Sequence, residues 1–146
     1  MTPVAAILPA AGHGRRMGAK KNKLFLTLND SSVLEETLRK LISHPQICHI
    51  YLVYAQEDQE FFNSFSTLPD LTLVLGGLRR QDSVAAALAQ IQTDRLVENV
   101  IVHDAARPLC STTLISRVIR ALEHYQAVIP VIPIKDTIRQ INGDQV

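Results

Sequence analysis

Glycines and cationic side chains are concentrated in one segment near the N-terminus. Residues 7–26 (ILPAAGHGRRMGAKKNKLFL) hold three glycines and five Lys or Arg, and the first acid in the chain is Asp30. Glycines let backbone N–H groups approach an anion closely, and the cations add positive charge. This combination predicts a loop that binds a polyanion such as a nucleoside triphosphate. The alternative is a solvated basic loop with no ligand.

The glycine spacing does not match the two commonest nucleotide-binding motifs. A dinucleotide fingerprint, G-x-G-x-x-G, would have its third glycine where Met17 stands. A P-loop would have Lys directly after Gly18, followed by Ser or Thr, but Ala19 follows that glycine. We therefore expect a phosphate-binding loop of another kind.

Further polar residues with possible chemistry follow predicted strands. Asp104 and Arg107 lie in VHDAARP (102–108). Two structural alternatives stay open for Asp104, namely a helix cap or an ion pair with Arg107. His103 has no second His, Cys or acid at metal-ligand spacing, so we interpret it as a packed strand-end residue and predict no protein metal ligand.

Apolar, non-alternating segments predict strands that are buried on both faces. These strands are expected at residues 4–8, 49–54, 71–75, 99–103 and 127–134. Helices are expected from Ser32, where Glu35 completes a capping box, over residues 82–91, and after a cap at Ser111. A short helix or turn is expected at 56–65. This alternation predicts an α/β fold, a mostly parallel sheet with helices on both faces, whose ligands bind at the carboxyl ends of the strands.

The length of 146 residues corresponds to a single domain, residues 1–146. No apolar run approaches the roughly 20 residues needed to cross a bilayer, and no signal-peptide pattern begins the chain. The formal net charge of only +1 argues against a general nucleic-acid binder. We expect a cytoplasmic enzyme with neither a membrane nor a nucleic-acid partner.

The C-terminal residues have the pattern of an incomplete hairpin. Residues 137–141 alternate as a strand would, and Asn142-Gly143 is a strong hairpin-turn signal. Only residues 144–146 remain for the returning strand. We expect residues 137–146 to begin a β-hairpin arm, and the chain to be a truncated form of a longer protein.

Five stretches in order, LPAAGHGRRMG, NKLFL, GGLRRQDSV, HDAARP and PIKDT, resemble the 2-C-methyl-D-erythritol 4-phosphate cytidylyltransferase family. The resemblance implies a Rossmann-like nucleotidyltransferase fold and transfer of CMP from CTP to the polyol phosphate, with release of diphosphate. It also implies Mg²⁺ bound through the CTP phosphates and a homodimer of the full-length protein. The alternatives are a ribitol 5-phosphate cytidylyltransferase and a catalytically silent nucleotide-binding module.

The resemblance also implies roles for individual residues. Those implied to bind nucleotide follow the first and third predicted strands: Ala10, Ala11, Gly12, Gly77, Arg80 and Ser83. Two cations, Arg16 and Lys23, would stabilise charge on the α-phosphate and the leaving diphosphate. Asp104 would face the polyol hydroxyls near the nucleotide, and Arg107 and Thr137 would contact the polyol phosphate.

Two positions of the GGLRRQDSV stretch carry a qualification. Leu78 stands where some family members have an acid, so a base contact through that side chain is lost. Ser83 has a structural alternative, an ordinary residue at the N-terminus of a helix.

Overall fold

The computed structural model describes residues 3–12, 22–28, 30–94 and 97–138. Its strands, in chain order, are β1 Val4–Pro9, β2 Thr27–Leu28, β3 Ser31–Ser32, β4 Ile47–Tyr54, β5 Leu71–Leu75 and β6 Asn99–Val102. Its α-helices are α1 Val33–Ile42, α2 Gln59–Phe62, α3 Arg80–Asp94 and α4 Thr112–Ala121. Short 3₁₀ helices lie at Lys23–Phe25, Gln56–Asp58 and Asn63–Phe65.

Four of the strands form one parallel sheet in the order β5-β4-β1-β6. Strand β1 is therefore central, and Val4 lies opposite Ile47 on one side and Asn99 on the other. The short strands β2 and β3 form a separate antiparallel pair, which the sequence analysis did not predict. The predicted mostly parallel sheet is confirmed.

The side chains of β1 alternate between two apolar cores. Val4, Ala6 and Leu8 share a cluster with residues of α1 and α4. Ala5 and Ile7 share the other cluster with residues of α3. These five residues of β1 are buried, and the helices accordingly cover both faces of the sheet, as predicted.

Local sequence signals set the helix starts. The Ser32 hydroxyl accepts a hydrogen bond from Glu35 N–H, and the Glu35 carboxylate accepts one from Ser32 N–H, which confirms the capping box. Ser111 caps α4 by accepting from the N–H of Leu114. Both caps satisfy N–H groups that the helix itself leaves without partners.

The predicted strand at residues 127–134 is wrong. This segment is irregular and largely exposed, with Ile132 at 87%. Its apolar pattern favours a strand, but Pro130 and Pro133 each lack an N–H donor for a ladder. Edge strand β6 pairs only with β1 in the described part of the chain. Thr137 and Ile138 are likewise irregular and exposed, and residues 139–146 of the expected arm lie outside the described residues.

In the part of the chain that the structure describes, no helix has the length and apolar character that a membrane crossing requires.

A buried hydroxyl joins α1 to the loop after β6. Thr37 is 1% exposed, and its Oγ1 lies 2.9 Å from the carbonyl oxygens of both Val33 and Ala105. Its single hydrogen is shared between these acceptors or donated to one of them. We expect Thr37→Val to lower the free energy of unfolding by about 1–3 kcal/mol, because the Ala105 carbonyl loses a buried donor. Urea unfolding measures the change.

A matched control is Thr93→Val, which removes an exposed hydroxyl that donates to a carbonyl of its own helix. We expect a change within about 0.5 kcal/mol. Equal losses in the two variants would show that the contact from Thr37 to Ala105 stabilises nothing.

Candidate active site

The polar loops begin where parallel strands end at one edge of the sheet. Backbone hydrogen bonds to neighbouring strands fix the start of each loop. The N–H groups of Ala10, Gly76 and His103 donate to the carbonyl oxygens of Val53, Tyr54 and Ile7, respectively. Because the strands are parallel, these loops share one edge. The sequence-predicted residues that the structure describes, apart from Thr137, lie in these loops or in the turns and helix starts that continue them.

A close approach of the first two loops depends on Gly76. A Cβ atom at this position would lie 2.7 Å from the Ala11 Cβ and 2.9 Å from the Ser83 Oγ. No other residue fits there without displacing one of these neighbours. The sequence analysis named Gly77 but missed Gly76, although the Gly-Gly pair at the end of a predicted strand was the available signal.

The Ser83 hydroxyl supports the same loop from within. Ser83 lies in the first turn of α3 and is 2% exposed, and its Oγ accepts from the N–H of Gly77 at 3.2 Å. The structure thus brings Gly77 and Ser83 together. The hydroxyl thereby orients the Gly77 peptide. The next residue, Leu78, is 99% exposed.

The start of the first loop has distinct inner and outer parts. Ala10 is buried, and its N–H is used within the sheet at 2.7 Å from Val53 O. The Ala10 N–H is therefore not available for a nucleotide contact. Among the described residues beyond its chain neighbours, none has an atom within 4 Å of the position that a Cβ atom would take at Gly12.

An acidic side chain connects the loops that follow the two outer strands. Asp104 accepts from Arg80 Nη2 at 2.6 Å and from Arg107 Nε at 2.7 Å. The ion pair with Arg107 is one of the two structural alternatives for Asp104, and the structure contains it. The pair with Arg80, across 24 positions of sequence, was not predicted.

These ion pairs are open to solvent, with the arginine side chains 59% and 74% exposed. Such exposed pairs add little stability, so their main effect is on geometry. Partial burial acts to raise the pKa of Asp104, but the charges of Arg80 and Arg107 outweigh burial and hold that pKa below its ordinary value. Asp104 is therefore ionised at neutral pH and keeps both guanidinium groups at the edge of the sheet.

The cation Lys23 lies at the first position of the 3₁₀ helix that follows the basic segment. Its side chain is exposed and makes no hydrogen bond or ion pair with another described residue. Arg16 lies outside the described residues, as do Arg15, Lys20 and Lys21. Thr137 is not brought to the other predicted residues by any contact among the described parts of the chain.

His103 follows β6 and faces a small pocket lined by Thr37, Lys40 and Cys110. Its Nδ1 is buried and has no hydrogen-bond partner among the described residues. Burial lowers the pKa of His103, which favours the neutral imidazole. This environment fits a packed strand-end residue. Within the described ranges, no three His, Cys, Asp or Glu side chains are grouped to hold a metal.

The charge arrangement gives a pH prediction. The ion pairs of Asp104 stabilise the fold at pH values above the unfolded pKa of Asp, about 3.9, and this contribution is lost as the pH falls through the lower folded pKa. We expect Arg80→Gln to raise the pKa of Asp104, as measured by NMR titration of its carboxyl carbon. The control is Arg79→Gln, since Arg79 pairs with Asp82 instead. An unchanged Asp104 pKa in Arg80→Gln would contradict this account.

Known proteins share both the sequence and the fold. The profile of a family described as 2-C-methyl-D-erythritol 4-phosphate cytidylyltransferase matches residues 4–146. The protein of that name from Vibrio cholerae serotype O1 is 41% identical over 142 residues, which cover 96% of this chain and 61% of the relative. The one from Bacillus anthracis is 39% identical over 139 residues, which cover 92% and 60%.

Solved structures agree with this match. The 4-diphosphocytidyl-2C-methyl-D-erythritol synthase from Anaerococcus prevotii superposes with a TM-score of 0.81 at 28% identity, over 98% of this chain and 61% of that one. This chain spans about 60% of the length of the curated relatives it matches. The match covers the sheet, its helices and all three loops of the candidate site. The chain therefore belongs to the 2-C-methyl-D-erythritol 4-phosphate cytidylyltransferase family.

Proposed function

We propose that the protein containing this chain transfers CMP from CTP to 2-C-methyl-D-erythritol 4-phosphate and releases diphosphate. The observation that carries the proposal is the convergence of the three loops, with Asp104 between Arg80 and Arg107. Guanidinium groups bind phosphate oxygens through paired N–H donors, and the carboxylate keeps these groups oriented before a ligand arrives. Family membership supports this reaction.

In the proposed reaction, a phosphate oxygen of the polyol phosphate forms a bond to the α-phosphorus of CTP. The bond from that phosphorus to the oxygen bridging to the β-phosphate breaks, and diphosphate leaves with the electron pair. Catalysis of such a step depends on positioning and on cations near the phosphoryl oxygens. We assign this charge stabilisation to Lys23 and Arg16.

The remaining residues would bind the two substrates. Backbone groups of Ala10, Ala11 and Gly12 would hold the nucleotide on the first loop. The Ser83 hydroxyl orients the Gly77 peptide, and Gly77 would contact the nucleoside. Arg80 would bind the nucleotide beside Gly77. Asp104 would face the polyol hydroxyls, while Arg107 and Thr137 would contact the polyol phosphate.

We propose that Mg²⁺ reaches the site with the CTP phosphates. The described residues supply no cluster of acidic ligands, and both Asp104 oxygens are occupied by arginines. This fits Mg²⁺, which commonly keeps several waters and binds substrate phosphates with few protein carboxylates. When bound, the ion would neutralise negative charge on the triphosphate. The homodimer and the cytoplasmic location stay predictions.

The direct test is to incubate the full-length protein with CTP, Mg²⁺ and each polyol phosphate, and to identify the product by mass. We expect the cytidylylated methylerythritol product and diphosphate. The comparisons do not favour the ribitol alternative, and product from ribitol 5-phosphate alone would establish it. CTP binding without any product would establish the silent module.

Removal of the Lys23 ammonium should slow the chemical step. We expect Lys23→Ala in the full-length protein to lower kcat by roughly 10²- to 10³-fold, the usual loss for one preorganised transition-state donor. Steady-state release of diphosphate measures it. Arg117→Ala, which removes an exposed cation on α4, should leave kcat within about twofold. A loss below tenfold in Lys23→Ala would show that Lys23 is only a solvated charge.

Removal of the Ser83 hydroxyl should loosen nucleoside recognition. Ser83→Ala frees the Gly77 N–H, and loss of one neutral hydrogen bond corresponds to about 1 kcal/mol, or roughly fivefold. We expect the ratio of kcat/KM for CTP over UTP to fall by about that factor, with little change in KM for the polyol phosphate. Ser64→Ala, on an exposed hydroxyl, is the control. Equal losses for CTP and UTP would indicate helix capping instead.

A further inference from the structure

The side chain of Asn22, directly before Lys23, is held by hydrogen bonds at both its amide oxygen and its amide nitrogen. The Asn22 Oδ1 accepts a hydrogen bond from Leu24 N–H at 3.2 Å and thereby caps the 3₁₀ helix Lys23–Phe25. Its Nδ2 donates to Asp58 Oδ2 at 3.0 Å, across 36 positions of sequence. The turn that carries Lys23 is thus tied to the segment that follows β4.

The same segment contacts the turn on the far side of Lys23. The ring of Phe25 lies on Phe61, with centroids 4.0 Å apart, and Leu24 is 3% exposed. The backbone of Lys23 is therefore fixed from both directions, while its side chain remains exposed. Asp58 and Phe61 therefore support this turn.

The chemistry of Asp58 determines which way the Asn22 amide faces. An ionised carboxylate only accepts hydrogen bonds, so it attracts the NH₂ group of Asn22 and not its oxygen. The Asn22 oxygen then has to face Leu24 N–H, where it caps the turn. Hydrogen bonds to a charged acceptor are also stronger than neutral ones. An apolar residue at position 58 would leave both amide orientations open.

We propose that Asp58 is a positioning residue for the phosphoryl-transfer step, because it orients Asn22 and thereby the turn that presents Lys23. The inference rests on the proposed function and deepens it. A catalytic group that is displaced by about an ångström loses much of its effect, so a remote support can govern turnover. A residue that only stabilises the fold would lower the melting temperature and leave kcat unchanged.

The first experiment compares Asp58→Ala with Glu60→Ala in the full-length protein. Glu60 is an exposed acid of α2 and controls for the change in charge near the site. We expect Asp58→Ala to lower kcat by roughly 5- to 50-fold, from loss of a hydrogen bond to a charged group. KM for CTP should change less than about threefold, and hydrogen exchange of the Leu24 amide should accelerate. Glu60→Ala should change none of these quantities.

A second experiment swaps the two side chains. Asn22→Asp places two carboxylates together and should lower kcat as much as Asp58→Ala does. Addition of Asp58→Asn should recover at least roughly fivefold, because an amide at 58 can donate to a carboxylate at 22 that still accepts from Leu24 N–H. Each variant's melting temperature is measured alongside, so that loss of fold is recognised.

The possible failures are distinguishable. An active wild type with equal kcat in Asp58→Ala and Glu60→Ala overturns the role of Asp58, as does a swap that recovers nothing. A wild type with no CMP transfer overturns the proposed function. The exchange rate of the Leu24 amide then still shows whether Asp58 orients the turn.

Discussion

Strand β1 has no side that faces solvent, and this constraint determines where chemistry can occur. Val4 to Leu8 are buried against helices on both faces, and parallel neighbours bond both edges of the strand. Polar groups that bind a ligand are thereby confined to the ends of the sheet. Since all four strands run in one direction, their following loops open at the same edge, where Gly76, Arg80 and Arg107 lie.

The strand order then determines which loops meet. The chain leaves β1 toward β4 and β5, and returns to the opposite side of β1 as β6. Such a reversal of strand order opens a crevice at the carboxyl ends. Strands β5 and β6 are the outer strands of this sheet, roughly 14 Å apart by ordinary strand spacing. The 2.6 Å contact between Arg80 and Asp104 therefore brings together loops that follow opposite edges of the sheet.

In this site the side chains that support the loops are buried, and the cations that could contact a ligand are exposed. Ser83 and Thr37 are buried, and their hydroxyls hold the Gly77 and Ala105 peptides in place. Lys23, Arg80 and Arg107 are exposed, as groups that must reach a ligand have to be. The buried hydroxyls lose little by being covered, because each is hydrogen-bonded.

Local patterns in the sequence predicted local structure well. The Ser32–Glu35 capping box and the Ser111 cap are present, because each depends on near neighbours in the chain. The strands around residues 4–8, 49–54, 71–75 and 99–103 are also present, because each apolar segment has a parallel partner in the sheet. The strand at 127–134 is absent, since an apolar pattern cannot supply a pairing partner or replace the N–H groups missing at its prolines.

Contacts between distant residues could not be predicted in this way. Arg80 meets Asp104, and Asn22 meets Asp58, only after the sheet has assembled. The resemblance named Arg80 and Asp104 as separate site residues, and the structure joins them. Neither the family resemblance nor the residue pattern indicated Asp58.

We expect the loops after β1, β5 and β6 to form one substrate site, in which the nucleotide binds to the first two loops and affects Asp104 through Arg80. Titration of the ¹⁵N-labelled chain with CTP and Mg²⁺, followed by amide chemical shifts, tests it most directly. We expect changes that saturate together at Gly12, Gly77 and Asp104, while Val4 and Ile47 at the opposite edge of the sheet are unaffected. Changes at that opposite edge, or none in the loop after β5, would contradict it.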